Sequence, residues 1–261
     1  MTAPLLLTGA CGRVAQLLLP GLGERPLRLL DRTTPADPAD VPADAEVLTG
    51  ELTDRDLLAR AVEGVEAVVH LAGDPSPTAT WEELRSPNVD GFAALLGAAA
   101  DHGVRRVVYA SSVHAMGRYE ATGRVPVDPA WAPAPCCPYG ATKAFDEAVA
   151  GVFAHRWGLS TIGLRLGATV PVPTKRSQLT GWLGPQDLRD LVTRALTASV
   201  VTGVYPAVSG AERSHWDLRL AADELGYRPS LDSRDHAGAV EDDGTDVTTC
   251  PPPDVPRAPG G

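Results

Sequence analysis

The chain has 261 residues, 44% of them hydrophobic and 21% charged, an ordinary balance for one large globular domain or two small ones. Its net charge of −10 leaves no basic surplus to displace counterions, which excludes a nucleic-acid backbone as the main partner. With no apolar run of 18 residues and no signal-peptide pattern over residues 1–7, the expectation is a cytoplasmic chain without a membrane partner.

Residues 5–8 are a short apolar run closed by Gly9, as in a buried parallel strand. Helical spacing follows through Val14, Leu17 and Leu18 and stops at Pro20-Gly21. Strands are expected at 27–31 and 46–49, joined by a connector over 33–42 that is rich in Pro, Asp and Ala. A Thr-capped helix over 53–62 leads to a strand at 67–71, and an Ala/Leu-rich helix runs from about Asn88 to His102. The fifth strand is 106–111. Residues 112–138 show no period and hold four prolines before Pro138, and so long a loop in a compact domain is usually functional. Then come a helix over 139–157, a strand over 160–166, a helix over 184–198, a strand over 204–208 and a helix over 216–225. Strands alternating with helices imply an α/β fold, a Rossmann-type doubly wound parallel sheet with a small C-terminal substrate-binding lobe. The domain is expected to span 1–230, with the substrate lobe mainly in 166–203 and 209–230. From Leu231 the composition shifts to seven acidic residues, two basic ones and five prolines, so 231–261 reads as a disordered tail.

The first turn reads Thr8-Gly9-Ala10-Cys11-Gly12-Arg13-Val14-Ala15. Gly9 permits a tight turn, Gly12 lets the backbone approach a pyrophosphate, and Ala15 stands where the helix packs on the strand. The helix N-terminus then offers free N–H groups to phosphates. A glycine turn alone is a weak signal, but its place between a strand and a helix, with Asp31 ending the second strand, is the context a dinucleotide site requires. Asp31 would accept hydrogen bonds from ribose hydroxyls and repel a 2′-phosphate, which favours NAD over NADP; Arg32 beside it has the opposite tendency. A plain strand-end carboxylate is the other reading of Asp31.

Tyr139 and Lys143 lie four apart on an expected helix and so share a face. A tyrosine phenol, with an ordinary pKa near ~10, is a poor base at neutral pH unless a neighbouring ammonium stabilises its anion. Ser112, just past the fifth strand, adds a donor for a substrate oxygen, and the three together make a proton-transfer device. In isolation the tyrosine–lysine spacing would be an exposed helix face. The four cysteines, Cys11, Cys136, Cys137 and Cys250, have no C-x-x-C spacing and no His at zinc-finger distance, so no metal is expected; Cys136 and Cys137 are read as reduced thiols, a strained vicinal disulfide being the alternative.

The glycine turn, His70-Leu71-Ala72-Gly73, Tyr109-Ala110-Ser111-Ser112 and Tyr139-Gly140-Ala141-Thr142-Lys143 resemble an extended short-chain dehydrogenase/reductase of the epimerase/dehydratase type. The resemblance covers roughly Leu5 to Pro229. Ser111 to Tyr119, Leu164-Arg165-Leu166-Gly167, Thr180 to Leu188, Trp216-Asp217 and Leu225-Gly226-Tyr227-Arg228-Pro229 are similar to the uronate dehydrogenases, which oxidise the anomeric carbon of hexuronates with NAD. The resemblance implies Ser112, Tyr139 and Lys143 as catalytic residues. It implies cofactor contacts at Gly9, Cys11, Gly12, Arg13, Val14, Asp31, Arg32, Glu51, Leu52, Asp54, Leu71, Ala72 and Gly73, together with Tyr139 and Lys143.

Substrate contacts are expected from Val113, His114, Asn88, Ala168, Arg176 and Ser76. Here the chain departs from the family pattern. Val113 stands for an Asn, Ala168 and Thr169 follow Gly167 in place of Ser-Cys, and Pro75 stands for a Ser beside Ser76. Ser177 stands for the Arg that grips the carboxylate, with Arg176 displaced by one. His114 touches substrate or relays a proton, or is a loop histidine bonded to backbone. Asn88 shapes the site or merely starts a helix after Pro87. Residues 133–138 wall the pocket or form a rigid lead into the next helix. The resulting expectation is an NAD-dependent oxidoreductase acting on a sugar-like or cyclic hydroxyl or carbonyl, a small-molecule substrate. The alternatives are the same scaffold in a tailoring step (ketone reduction, epimerisation or non-redox cyclisation) and a non-enzymatic dinucleotide-binding protein. A homo-oligomer is left open.

Overall fold

The computed structural model describes residues 3–23, 25–37 and 41–251. Parts of the expected 33–42 connector (residues 38–40) and of the expected tail (residues 252–261) lie outside them. The chain alternates β1 (Leu5–Thr8), α1 (Arg13–Leu18), β2 (Leu27–Asp31), β3 (Glu46–Thr49), α2 (Arg55–Val62), β4 (Ala67–His70), α3 (Trp81–Leu84), α4 (Gly91–Asp101) and β5 (Arg106–Ser112). It continues through α5 (Gly117–Ala121), α6 (Pro138–Trp157), β6 (Ser160–Leu166), β7 (Ala168–Thr169), β8 (Trp182–Leu183), α7 (Pro185–Thr197), β9 (Thr202–Ala207) and α8 (Arg219–Leu225). Seven strands form one parallel sheet in the order β3-β2-β1-β4-β5-β6-β9, and β7 pairs with β8 in a small second sheet. The order reverses between β1 and β4, which opens a crevice at their C-terminal ends.

Every residue of β1 and β4 is buried, as expected for central strands covered on both faces, whereas the edge strand β3 is largely exposed. One apolar layer unites the sheet with α1, α7 and α8 through Leu18, Leu188, Leu191, Val192 and Leu225. The other unites it with α2, α4 and α6 through Leu57, Leu58, Phe92, Leu95 and Ala150. Thus α7 and α8, within the ranges expected for a substrate lobe, belong to the core layer of the sheet. Among the described residues no helix is long and apolar enough to cross a membrane.

Several local expectations need correction. The cap of α2 is Asp54, whose carboxylate accepts the Leu57 N–H at 3.0 Å, rather than Thr53. The helix expected near Asn88 begins earlier: a Thr80–Glu83 capping box starts α3, and a π-helical stretch, Arg85–Asp90, joins it to α4. Residues 112–138 hold a 3₁₀ turn, Val113–Met116, and α5.

The largest correction concerns the tail. Residues 231–251 are folded onto the domain. Arg176 is ion-paired with Asp246 at 2.5 Å and Asp242 at 3.4 Å, and Ser177 Oγ donates to Asp243 at 2.6 Å. The Thr248 and Thr249 amides donate to the buried Glu120 carboxylate at 3.1 and 2.9 Å. Composition suggested disorder because the segment is poor in apolar groups, but hydrogen bonds to a buried acceptor hold it in their place.

Candidate active site

The glycine turn is shaped by contacts a side chain would forbid. Gly9 has φ +72°, and a Cβ there would lie 2.6 Å from the Ala72 amide nitrogen. Gly12 is the extended residue that starts α1, without a side-chain cap, so the first N–H groups of that helix stay open. Asp31 is fixed beside the turn: Oδ2 accepts from the Cys11 amide at 2.9 Å, and Oδ1 accepts from the Thr33 amide at 3.1 Å. Behind it Thr8 Oγ1 and His70 Nδ1 lie 2.7 Å apart, and burial, then the charge of Lys143, lowers the His70 pKa to about 3, so this imidazole is neutral.

Two cavities meet at this turn. One, of about 640 Å³, runs from Gly9 and Cys11 past Asp31, Arg32, Glu51 and Leu52. The other, of about 410 Å³, holds Arg13, Val14, Ser112, Val113, His114, Tyr139, Lys143 and Ala168. They share Gly9, Gly12, Leu71, Ala72 and Gly73 and so form one groove over the sheet's switch point. All the expected cofactor contacts line it except Asp54, whose carboxylate is used as the α2 cap. A third cavity, of about 660 Å³, lies near Leu5, Ala67 and Arg106, at the opposite ends of the strands, and holds none of these groups.

Ser112, Tyr139 and Lys143 converge on the smaller cavity, and the local sequence explains how. Ser112 ends β5, and its Oγ accepts the His114 amide at 3.2 Å, which starts the 3₁₀ turn. Cys137 and Pro138 start α6, with Cys137 Sγ accepting the Gly140 amide at 3.4 Å. A Cβ at Gly140 would lie 2.3 Å from the His114 carbonyl oxygen, so glycine there lets the first turn of α6 press directly onto the Ser112–His114 turn. Lys143 Nζ lies 6.0 Å from the centre of the Tyr139 ring.

Other expected residues fall elsewhere. Asn88 is buried behind the groove: its Oδ1 accepts the Asp74 amide at 2.7 Å, and its Nδ2 donates to Asp74 O at 3.0 Å and Thr142 Oγ1 at 3.1 Å. It ties the Gly73–Asp74 segment to α6 and does not line the smaller cavity. Ser76 is likewise outside the cavity wall, its amide donating to Asp74 Oδ1 at 2.8 Å, although Pro75 lines it. Arg176 is half-exposed, is held by Asp246 and Asp242, and does not line the smaller cavity. Thr169 lines the cavity beside Ala168, and sequence reasoning missed Val170, Gln178 and Thr248 on its wall. It also missed Asp146, whose Oδ2 lies 3.1 Å from Lys143 Nζ, with both side chains buried. Spacing alone could have suggested that pair, at i and i+3 on one helix. Burial raises the Asp146 carboxyl to about 6 against the opposing pull of Lys143, and its Oδ1 has no hydrogen-bond partner.

Comparison with known proteins agrees with this geometry. The model of the NAD dependent epimerase/dehydratase family matches residues 5–173. The uronate dehydrogenase of Pseudomonas putida is 38% identical over 242 residues, 91% of this chain and 87% of that protein. The NAD-dependent glucose-6-phosphate dehydrogenase of Haloferax volcanii is 34% identical over 250 residues, 89% of this chain and 95% of that protein. A crystal structure of a variant uronate dehydrogenase from Agrobacterium tumefaciens complexed with NAD superposes with a TM-score of 0.82 at 28% identity, covering 96% of this chain and 91% of that one.

Proposed function

This chain belongs to the NAD dependent epimerase/dehydratase family, and we propose that it acts there as an NAD-dependent oxidoreductase on the anomeric hydroxyl of an uncharged cyclic sugar. One observation carries this reading: Ser112, Tyr139 and Lys143 meet at one end of a groove that runs over the Gly9–Gly12 turn to Asp31 at the other. The groove fits a dinucleotide. Its middle is walled by Gly9, Gly12 and Gly73, which present backbone and no Cβ, and the Asp31 carboxylate stands where a ribose diol would be gripped. When bound, NAD supplies the two-electron acceptor for the hydride that leaves the substrate carbon.

The chain's own residues manage the proton. The Ser112 Oγ already accepts from His114, so its hydroxyl proton is free to point at the substrate oxygen. The Tyr139 oxygen takes the proton from the substrate hydroxyl, and the Lys143 ammonium stabilises the tyrosinate that does so. Asp146 is a positioning residue that draws part of the Lys143 charge away from Tyr139. In Asp146→Asn that competing carboxylate is gone. The pH of half-maximal NAD reduction should therefore fall by about one unit, which corresponds to about 1.4 kcal/mol. A pH–rate profile identical to wild type would make the pair purely structural.

The cavity wall argues for an uncharged substrate. Its cationic side chains are Arg13 and Lys143, both on the cofactor side in this reading, while Arg176 is tied to two tail carboxylates. An Arg–carboxylate hydrogen bond contributes about 1.5–3 kcal/mol, so its absence weakens transition-state binding of a uronate roughly tenfold to a hundredfold. The test is steady-state NAD reduction across neutral aldoses, galacturonate and glucuronate. Neutral aldoses should be oxidised with the higher kcat/KM. A uronate kcat/KM above about 10⁴ M⁻¹s⁻¹ with no aldose turnover would return the assignment to uronate oxidation.

A further inference from the structure

The spacing of the cysteines along the chain gives no sign of a metal site, but the fold gathers three of them around one histidine. His114 comes from the 3₁₀ turn after β5, Cys136 and Cys137 from the lead into α6, and Cys250 from the far end of the described chain. The His114 Nδ1 lies 3.3 Å from Cys136 Sγ, 3.6 Å from Cys137 Sγ and 3.6 Å from Cys250 Sγ. All four ligand atoms fall within 4.8 Å of one another. We propose that His114, Cys136, Cys137 and Cys250 form a closed tetrahedral site for a thiophilic divalent cation, zinc above all.

The spacing of the four ligand atoms suits a tetrahedral site. With metal–sulfur bonds of about 2.3 Å and a metal–nitrogen bond of about 2.05 Å, the nitrogen–sulfur edges of a tetrahedral site are about 3.6 Å and the sulfur–sulfur edges about 3.8 Å. The three nitrogen–sulfur distances, 3.3, 3.6 and 3.6 Å, lie close to that edge, and every sulfur lies within 4.8 Å of the others. Three cysteines and one histidine are a donor set of structural zinc sites, and three thiolates with one imidazole leave no position open for a water. The three thiols give up three protons as the cation enters.

The ligands are held by contacts independent of any ion. Gly117 makes room for Cys136, since a Cβ there would lie 2.4 Å from Cys136 Sγ. Cys137 is fixed as the cap of α6. Cys250 follows Thr249, whose amide donates to Glu120 Oε2 at 2.9 Å and whose Oγ1 donates to the Gly117 carbonyl at 3.3 Å. A cation here would staple the C-terminal segment, and with it the cavity-lining Thr248, to the Ser112–His114 turn. It would also leave His114 with its proton on Nε2, in a ring whose centre lies 5.7 Å from that of Tyr139.

The test uses the full chain, expressed with zinc and purified without chelators under a non-thiol reductant. About one zinc per chain should survive dialysis, and Cys136→Ser and Cys250→Ser should each retain less than about a tenth of that, while Cys11→Ser retains it all. Because a serine variant could lose metal by misfolding, wild-type protein stripped of metal is also titrated with cobalt(II). It should develop the intense visible bands and thiolate charge-transfer absorption of a tetrahedral site at one equivalent. Wild-type protein that holds no zinc and gives no tetrahedral cobalt spectrum overturns the proposal. So does a mass lower by two hydrogens that maps to a disulfide among Cys136, Cys137 and Cys250 in freshly purified protein.

Discussion

Tyr139→Phe is expected to lower kcat by about 10²–10⁴-fold, the range carried by a positioned acid–base group, while NAD affinity stays within about threefold of wild type. The substitution isolates the phenol oxygen. A phenylalanine keeps the ring that meets His114 edge-on at 5.7 Å, so the first turn of α6 and the cavity wall stay in place. What disappears is the atom that takes the substrate proton. Lys143→Ala is a poorer probe, because it leaves the Asp146 carboxylate buried without its ion pair, with Oδ1 already unpartnered. The measurements are steady-state NAD reduction on the best aldose and calorimetric titration with NAD. A variant that turns over near the wild-type rate would remove Tyr139 from the chemistry, and a non-redox use of the scaffold would then gain.

Ending the chain at Gly244 is expected to lower Tm by roughly 10 °C. Glu120 sits in α5 with its side chain fully buried. Its Oε1 accepts from His215 Nδ1 at 2.9 Å and the Thr248 amide at 3.1 Å, and its Oε2 accepts from the Thr249 amide at 2.9 Å. Truncation removes both amides and leaves a buried carboxylate short of donors. Breaking such an arrangement costs about 3–5 kcal/mol, and each kcal/mol moves Tm by roughly 2–4 °C in a domain of this size. With a chelator in both samples, the difference owes nothing to a bound cation and belongs to the contacts of the removed segment, these hydrogen bonds and the Arg176–Asp246 ion pair foremost. The pH dependence follows from the same contacts. Burial raises the Glu120 carboxyl, but the hydrogen bonds from His215, Thr249 and Thr248 outweigh it and hold the group below its ordinary range. The stability it contributes is therefore present above about pH 4.5 and is lost as the pH falls through the lower folded value. An unchanged Tm on truncation would restore the picture of a tail that hangs free.

The sequence by itself determined the sheet, the glycine turn and the shared face of Tyr139 and Lys143, and the reason is locality. Apolar runs such as 67–70 mark a buried strand from their own residues, Gly9 and Gly12 act on the backbone where they stand, and Tyr139 and Lys143 share a face by helix geometry alone. Only the tertiary structure decided the rest, because the deciding partner lies far along the chain. Arg176 looked available as a carboxylate clamp until Asp242 and Asp246, more than sixty residues later, took both sides of its guanidinium. Asn88 looked like a substrate contact but is satisfied by Asp74 and Thr142. The acidic tail read as disordered because composition counts apolar surface. It cannot count the buried Glu120 acceptor that fixes Thr248 and Thr249, nor the convergence of Cys250 on His114 across 136 residues of chain.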